Sequence, residues 1–415
     1  MKFVRLFILG LSLVTLSGMH TARAGDLEVE FWTTETEPAR IQRIEYLMNA
    51  FAVLNDGVRV DVIGIDENSL LQRFDEAEKS GRLPVLIDAD SSLLKELASR
   101  DKLDARAIVR VLSDIGESRF FQAPLRGFLT DDAKGHFAVP FHGWVQALWY
   151  RADWFRAAGL EHPDNFAAIL KAAEYFNDPE QDRYGIVTGT AGDLYEKQIR
   201  TQLARADGAD MAEAGSKAEA AAWAEADEFY RKLQAFTPPG PVTVDTRAVY
   251  LEGRAAMIMY SSFMLGNLAQ VSATHLAGVN ATGDADHLPV LDLAGNTEMR
   301  TVIMDKVRGT YGVINGLALT HQSNAEMTVT GQKMIAFILR SDVYVHWLHM
   351  APGGMLPVLR DVAHSKAFYR DPKGIFRRFG WQQIQSLVNT FDEKNLLFVE
   401  NISRERRSGF RRAPE

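Results

Sequence analysis

The sequence predicts an α/β protein built as two lobes. Three observations carry that expectation. Strands and amphipathic helices alternate from residue 27 onward, and a second run of the same kind begins after residues 137–141. The length of 415 residues suits two or three domains, at about 150 residues each. In the first run, residues 27–32 (LEVEFW) alternate apolar and polar side chains and read as a strand. A polar break over 33–38 follows, and then Ile41, Ile44, Leu47, Met48 and Phe51 recur at helical spacing. Residues 58–65 (VRVDVIGI) form a second expected strand, with a helix around 70–78. Residues 84–87 (PVLI) form a third, with a helix over 91–99. That rhythm needs crossover connections and so predicts a parallel sheet. Ligands of such sheets lie beyond the C-terminal ends of the strands, which puts residues 32–35, 66–67 and 88–91 along one rim.

The second run reads as a strand over 145–150, helices over 152–159 and 166–175, a strand over 184–187, and helices near 194–205 and 218–236. Pro238, Pro239, Gly240 and Pro241 make the sharpest break in the chain. A short helix over 246–253 and a strand over 255–260 come next. Residues 309–319 read as two short strands broken at Asn315 and Gly316, and 334–339 and 343–350 read as helical.

Composition removes whole classes of function. With no cysteine there is no disulfide framework, Cys-ligated zinc, iron–sulfur cluster or thiol nucleophile. A formal charge of -8 opposes nucleic-acid binding, which needs a basic face for the phosphates. Residues 1–24 have the three parts of a secretory signal: Lys2 and Arg5, an apolar run over 6–16, and Ala22-Arg23-Ala24 before a mature start at Gly25. The apolar run is short of the ~20 residues a membrane-spanning helix needs. An exported, acidic, cysteine-free chain fits a bacterial periplasm.

Five stretches occur in a telling order: FWTTETEP (31–38), HFAVPFHGWVQALWYRADWFRAAGL (136–160), EGRAAMIMYSS (252–262), INGLALT (314–320) and GGMLPVLRD (353–361). Together they resemble the extracellular solute-binding proteins of ABC importers, in the carbohydrate-binding, maltose-binding-protein-like group. The resemblance implies the two-lobe periplasmic-binding-protein fold of type II, with a hinge and an interlobe cleft. It puts residues 25–139 with 262–320 in lobe 1 and 140–261 with 321–400 in lobe 2. The Arg-rich tail, 401–415, departs from the family's pattern. The implied activity is binding of a sugar, oligosaccharide or polyol and its delivery to a membrane permease and its ATPase subunits. The chain is expected to act as a monomer, without cofactor, metal, nucleic acid or catalysis.

Sugars are held by planar hydrogen-bonding groups on their hydroxyls and by rings on their apolar faces. The expected acceptors are Glu35, Asp66 and Asp90, beside Thr34, and the expected ring platforms are Trp32, Phe141, Trp144 and Tyr260. His142 is expected to bond ligand or hinge backbone. Ser261 and Ser262 follow the returning strand, and Gly353 and Gly354 let main-chain amides approach a ligand closely. Of Asp88 and Asp90, one is expected to cap the helix at Ser91 and the other to face the cleft. His346 and His349 stand three residues apart on an expected helix without a third metal ligand nearby. A phosphorylated polyol needs cations, and these rim residues include none. Two competing readings remain: an exported carbohydrate-active enzyme using Glu35 and Asp90 as paired carboxylates about 5–10 Å apart, and a sensory binding protein that docks on a membrane receptor.

Overall fold

The computed structural model describes residues 27–213, 215–271, 293–370 and 381–389. The expected signal segment and the Arg-rich tail lie outside them. The strands are β1 (Leu27–Thr33), β2 (Val58–Gly64), β3 (Leu86–Asp90), β4 (Val139–Arg151), β5 (Tyr184–Val187), β6 (Ala255–Ser261), β7 (Thr297–Arg300), β8 (Ile303–Met304), β9 (Arg308–Gly309), β10 (Gly312–Leu319) and β11 (Leu356–Pro357). The main sheet runs β2-β1-β3-β10-β4-β6-β5, with β11 and β7 also paired to β4.

The first lobe is built on β2, β1 and β3, mutually parallel as the strand–helix rhythm predicts. β10 then inserts antiparallel between β3 and β4. β4 is one continuous strand of 13 residues, longer than the strand over 145–150 that the sequence predicts. Its first half pairs with β10 and its second half with β6 and β7, so a single strand is shared between the sheets of both lobes. Asn315 and Gly316 do not break β10. They mark a shift of register against β4, where Asn315 faces His142 and Gly316 faces Pro140. Phe141 is the extra residue of that bulge. Pro140, which has no N–H to give to a ladder, sits beside it. A Cβ on Gly316 would lie 2.6 Å from the Phe128 ring, so the ring packing there requires glycine.

The later helices correct the expected lobe boundaries. The helix Ala325–Ile338 packs on the helix Ala105–Ile115 and on β10, and Ser341–Leu348 packs on Pro38–Leu54. Phe337 meets Phe51 with ring centroids 5.5 Å apart, and Trp347 meets Phe31 at 6.2 Å. This stretch, expected in lobe 2, therefore closes the core of the first sheet. Conversely β7 lies on the second half of β4, and Val307 N–H donates to the Ala206 carbonyl, which places these residues in the second lobe instead of the first. The physical cause is plain: an apolar helix face shows that it must be covered and carries no mark of which sheet covers it.

Candidate functional site

The C-terminal ends of β1, β2 and β3 open on one side of the first lobe, as expected for a parallel sheet. Facing them across a cleft of about 430 Å³ is the second lobe. That volume lies in the range of small-molecule sites. The first-lobe wall is Thr34 to Pro38 with Arg40 after β1, Asp66 and Glu67 after β2, and Asp90 after β3. The opposite wall is Tyr195, Gln198, Val244, Asp245, Arg247, Tyr260 and Ser261. The floor is the shared strand: His142, Trp144 and Gln146 alternate along β4, so their side chains point to the same face. Asn315 of β10 joins them.

Eight of the residues picked out from the sequence meet here: Thr34, Glu35, Asp66, Asp90, His142, Trp144, Tyr260 and Ser261. Five do not. Trp32 is buried and its indole N–H donates to Glu30 Oε2 at 2.9 Å. Phe141 is wholly buried among Trp347 and Tyr344 on the far side of β4. The Ser262 hydroxyl is consumed internally, donating to the Gly354 carbonyl at 2.8 Å and accepting from the Val145 N–H. Gly353 has φ 74°, a turn conformation that favours glycine. A Cβ on Gly354 would lie 2.8 Å from Phe263 Cα. The close approach expected at this glycine pair is to another stretch of this chain. His346 meets Arg43, and His349 meets the Phe368 carbonyl. Among the described residues no group of three or more His, Asp or Glu side chains is placed to hold a metal ion.

The paired aspartates divide their roles differently from expectation. Asp90 both caps and faces the cleft: it lines the wall while one oxygen accepts from the Ser92 and Leu93 N–H groups and the Ser92 hydroxyl. Asp88 lies inside the sheet, accepting from Thr33 Oγ1 at 2.9 Å and from Asn315 Nδ2 at 3.4 Å. Burial, reinforced by the charge of Glu35, pushes its carboxyl up to about 7. Glu67 is raised to about 8 by burial and by the charges of Asp90 and Asp66. Burial, then the charge of Arg40, pushes His142 down to about 3, so its imidazole is neutral.

Sequence reading missed the cations. Arg40 contacts Glu35 at 2.6 Å and Glu37 at 3.2 Å, while Arg247 contacts Glu37 at 3.1 Å and Asp245 at 3.0 Å. This chain of charges crosses from the first lobe to the second. A second crossing bond runs from the Leu194 N–H to Asn68 Oδ1 at 3.1 Å. Arg40 also stands over the Phe263 ring, 4.7 Å from its centroid. Gln146 was likewise missed, though its spacing from Trp144 and His142 was a usable signal. Both ring nitrogens of His142 and both polar atoms of the Gln146 amide are buried with no hydrogen-bond partner among the described residues.

A family model described as "Bacterial extracellular solute-binding protein" matches residues 37–326. The chain belongs to that family. Among its relatives is YcjN of Escherichia coli (strain K12), whose name places it provisionally among ABC transporter periplasmic-binding proteins. The two are 27% identical over 363 residues, covering 87% of this chain and 79% of YcjN. The fold matches maltose-bound MalE3 of T. maritima, with TM-score 0.65 and 15% identity over 92% of this chain and 99% of that one. It also matches a solute-binding protein of Agrobacterium radiobacter K84 in complex with ribitol, with TM-score 0.64, 15% identity and the same coverage. The two-lobe architecture is thus that of the MalE-type solute-binding proteins. Among the described residues of this solute-binding protein, no helix is long and apolar enough to cross a membrane.

Proposed function

We propose that this solute-binding protein holds a sugar, oligosaccharide or polyol in the cleft and delivers it, in the periplasm, to the permease and ATPase subunits of an ABC transporter, without chemical change. One observation carries the reading: the shared strand offers the cleft a neutral imidazole, an indole and an amide on one face, and the imidazole and the amide have no internal partner. Buried polar groups without partners cost free energy, and ligand hydroxyls supply the missing bonds. Trp144 and Tyr260 are the rings available for the apolar face of a sugar. The bound maltose and ribitol of the structural neighbours support the same class. A ligand that touches both walls binds the closed form better than the open one, and that difference drives closure. Glu35 is tied to Arg40 and Asp90 to a helix N-terminus, which favours binding over a two-carboxylate hydrolytic role.

The test is a thermal-shift screen of the purified chain against sugars, polyols, phosphopolyols and amino acids. A ligand at ~100 times its Kd adds ~2.7 kcal/mol, enough to raise the melting point by a few degrees. Chromatography must then return the ligand intact. A shift with amino acids alone would sink the carbohydrate reading, and a cleaved ligand would sink the non-enzymatic one.

A further inference from the structure

We infer that the ligand carries a protonated amine on its hydroxylated frame, as an amino sugar or aminocyclitol does, and that Glu67, flanked by Asp66 and Asp90, receives the ammonium group. The inference rests on the reading of the cleft as a carbohydrate or polyol site and narrows the chemistry of its ligand.

The cleft is lined by six carboxylates and two guanidiniums. Both guanidiniums are already engaged, Arg40 by Glu35 and Glu37, and Arg247 by Glu37 and Asp245. Among the described residues of the lining no unengaged cation is left to receive a phosphate or a sugar acid. Asp66, Glu67 and Asp90, by contrast, have no ion-pair partner among the described residues. Beyond burial, the charges that act on Glu67 are all negative: Asp90 after β3, Asp66 beside it, Asp193 of the second lobe and Glu35 after β1. Asp193 is held near them, since the N–H of the next residue, Leu194, bonds Asn68 Oδ1 across the gap at 3.1 Å. Like charges repel more strongly as water leaves the space between them, so closure around a neutral ligand works against this repulsion. An ammonium group set among them turns repulsion into attraction across the lobes. The unpartnered His142 and Gln146 on the cleft floor are an independent sign of a ligand. They call for hydroxyls, which restricts the amine to a polyhydroxylated one. The raised affinity of Glu67 for its proton agrees: an arriving cation restores the ionised form, so binding near pH 7 releases a proton.

The experiment is isothermal titration of the full chain with matched triplets: glucose, glucosamine and N-acetylglucosamine; galactose, galactosamine and N-acetylgalactosamine; scyllo-inositol, scyllo-inosamine and its N-acetyl form. The expected result is an amine at least ~10-fold tighter than its parent and its acetylated form at pH 7. That preference should shrink in high salt, and the heat of amine binding should depend on the buffer's ionisation enthalpy because a proton leaves. Glu67→Gln, and independently Asp66→Asn should the first variant fold poorly, should lower the amine-to-parent ratio. A neutral parent that binds as tightly as its amine overturns this inference and leaves the carbohydrate reading standing. A chain that melts cooperatively and binds none of the nine compounds overturns this inference, and the carbohydrate reading falls only if the wider screen of sugars, oligosaccharides and polyols also gives no shift.

Discussion

Phe141 and Trp144 are three residues apart on one strand, and Asp88 and Asp90 two apart on another, yet each pair is split between the core and the cleft. Phe141 fills the space between Trp347 and Tyr344, whereas Trp144 stands half-buried at the cleft floor with Tyr311 near one edge. Asp88 is closed in by Thr33 and Asn315, and Asp90 looks across the gap to the other lobe. The first member of each pair holds the sheet together, and the second is free to meet a ligand. Around this site, side-chain chemistry alone says little: for the aromatic pair the face of the strand decides between stability and binding, and for the aspartates, which share a face, it is the distance from the strand's end.

The sharpest test of the split is Phe141→Ala. Truncating a wholly buried ring costs about 3–5 kcal/mol, read as a lowered denaturant midpoint with an unchanged slope. Trp144→Ala should do the reverse, leaving the unliganded midpoint nearly in place and weakening ligand binding roughly tenfold, or ~1.4 kcal/mol. If Trp144→Ala unfolds the protein as readily as Phe141→Ala, the contrast between the two faces fails.

The acidic pair predicts a pH dependence. In the folded chain Asp88 titrates at about 7, against about 3.9 for an unfolded aspartate. Between those values the folded state keeps a proton that the unfolded state has released, so stability falls as pH rises from about 4 to 7 and levels off above. Glu67, at about 8, adds a fall of the same sign reaching slightly higher pH. Melting of the unliganded protein from pH 5 to 8 should show this slope, and Asp88→Asn should flatten its lower part. An unaltered slope in that variant would mean that Asp88 is not the group responsible.

The smallest effect is expected at the link between the walls. Arg247→Met removes the crossing ion pair with Glu37, and part-exposed pairs contribute no more than ~1 kcal/mol. Its signature is shape: small-angle scattering of the unliganded chain should report a larger radius of gyration, with little loss in melting point.

The strand ends at 33–35, 66–67 and 90 were legible because a parallel sheet announces its rim by apolar runs that stop at polar residues. Phe141 is no platform because alternation along β4 sets it on the face opposite His142 and Trp144, whereas the register shift of Asn315 and Gly316 against β4 is a tertiary event that no local pattern marks. Trp32 looked like a platform since it precedes the polar exit, but its side chain lies a step too early and bonds to Glu30 within its own strand. Arg40 and Arg247 were invisible as a pair because the carboxylate between them, Glu37, is 210 positions from Arg247. The placement of the C-terminal helices was lost for a related reason, since amphipathic spacing gives a face without an address.

β10 has a bearing on how the chain is made. It lies between β3 and β4, and its Asn315 reaches back 227 positions to Asp88. Until that strand is synthesised, the inner edges of β3 and β4 have no partner, and such edges are templates for aggregation. Contacts of this sequence separation also form slowly, because a long loop must be ordered before any pairing rewards it. The first lobe is therefore begun by β1 and sealed only by a strand 227 positions beyond Asp88, a keystone without which its half-built sheet keeps two open edges.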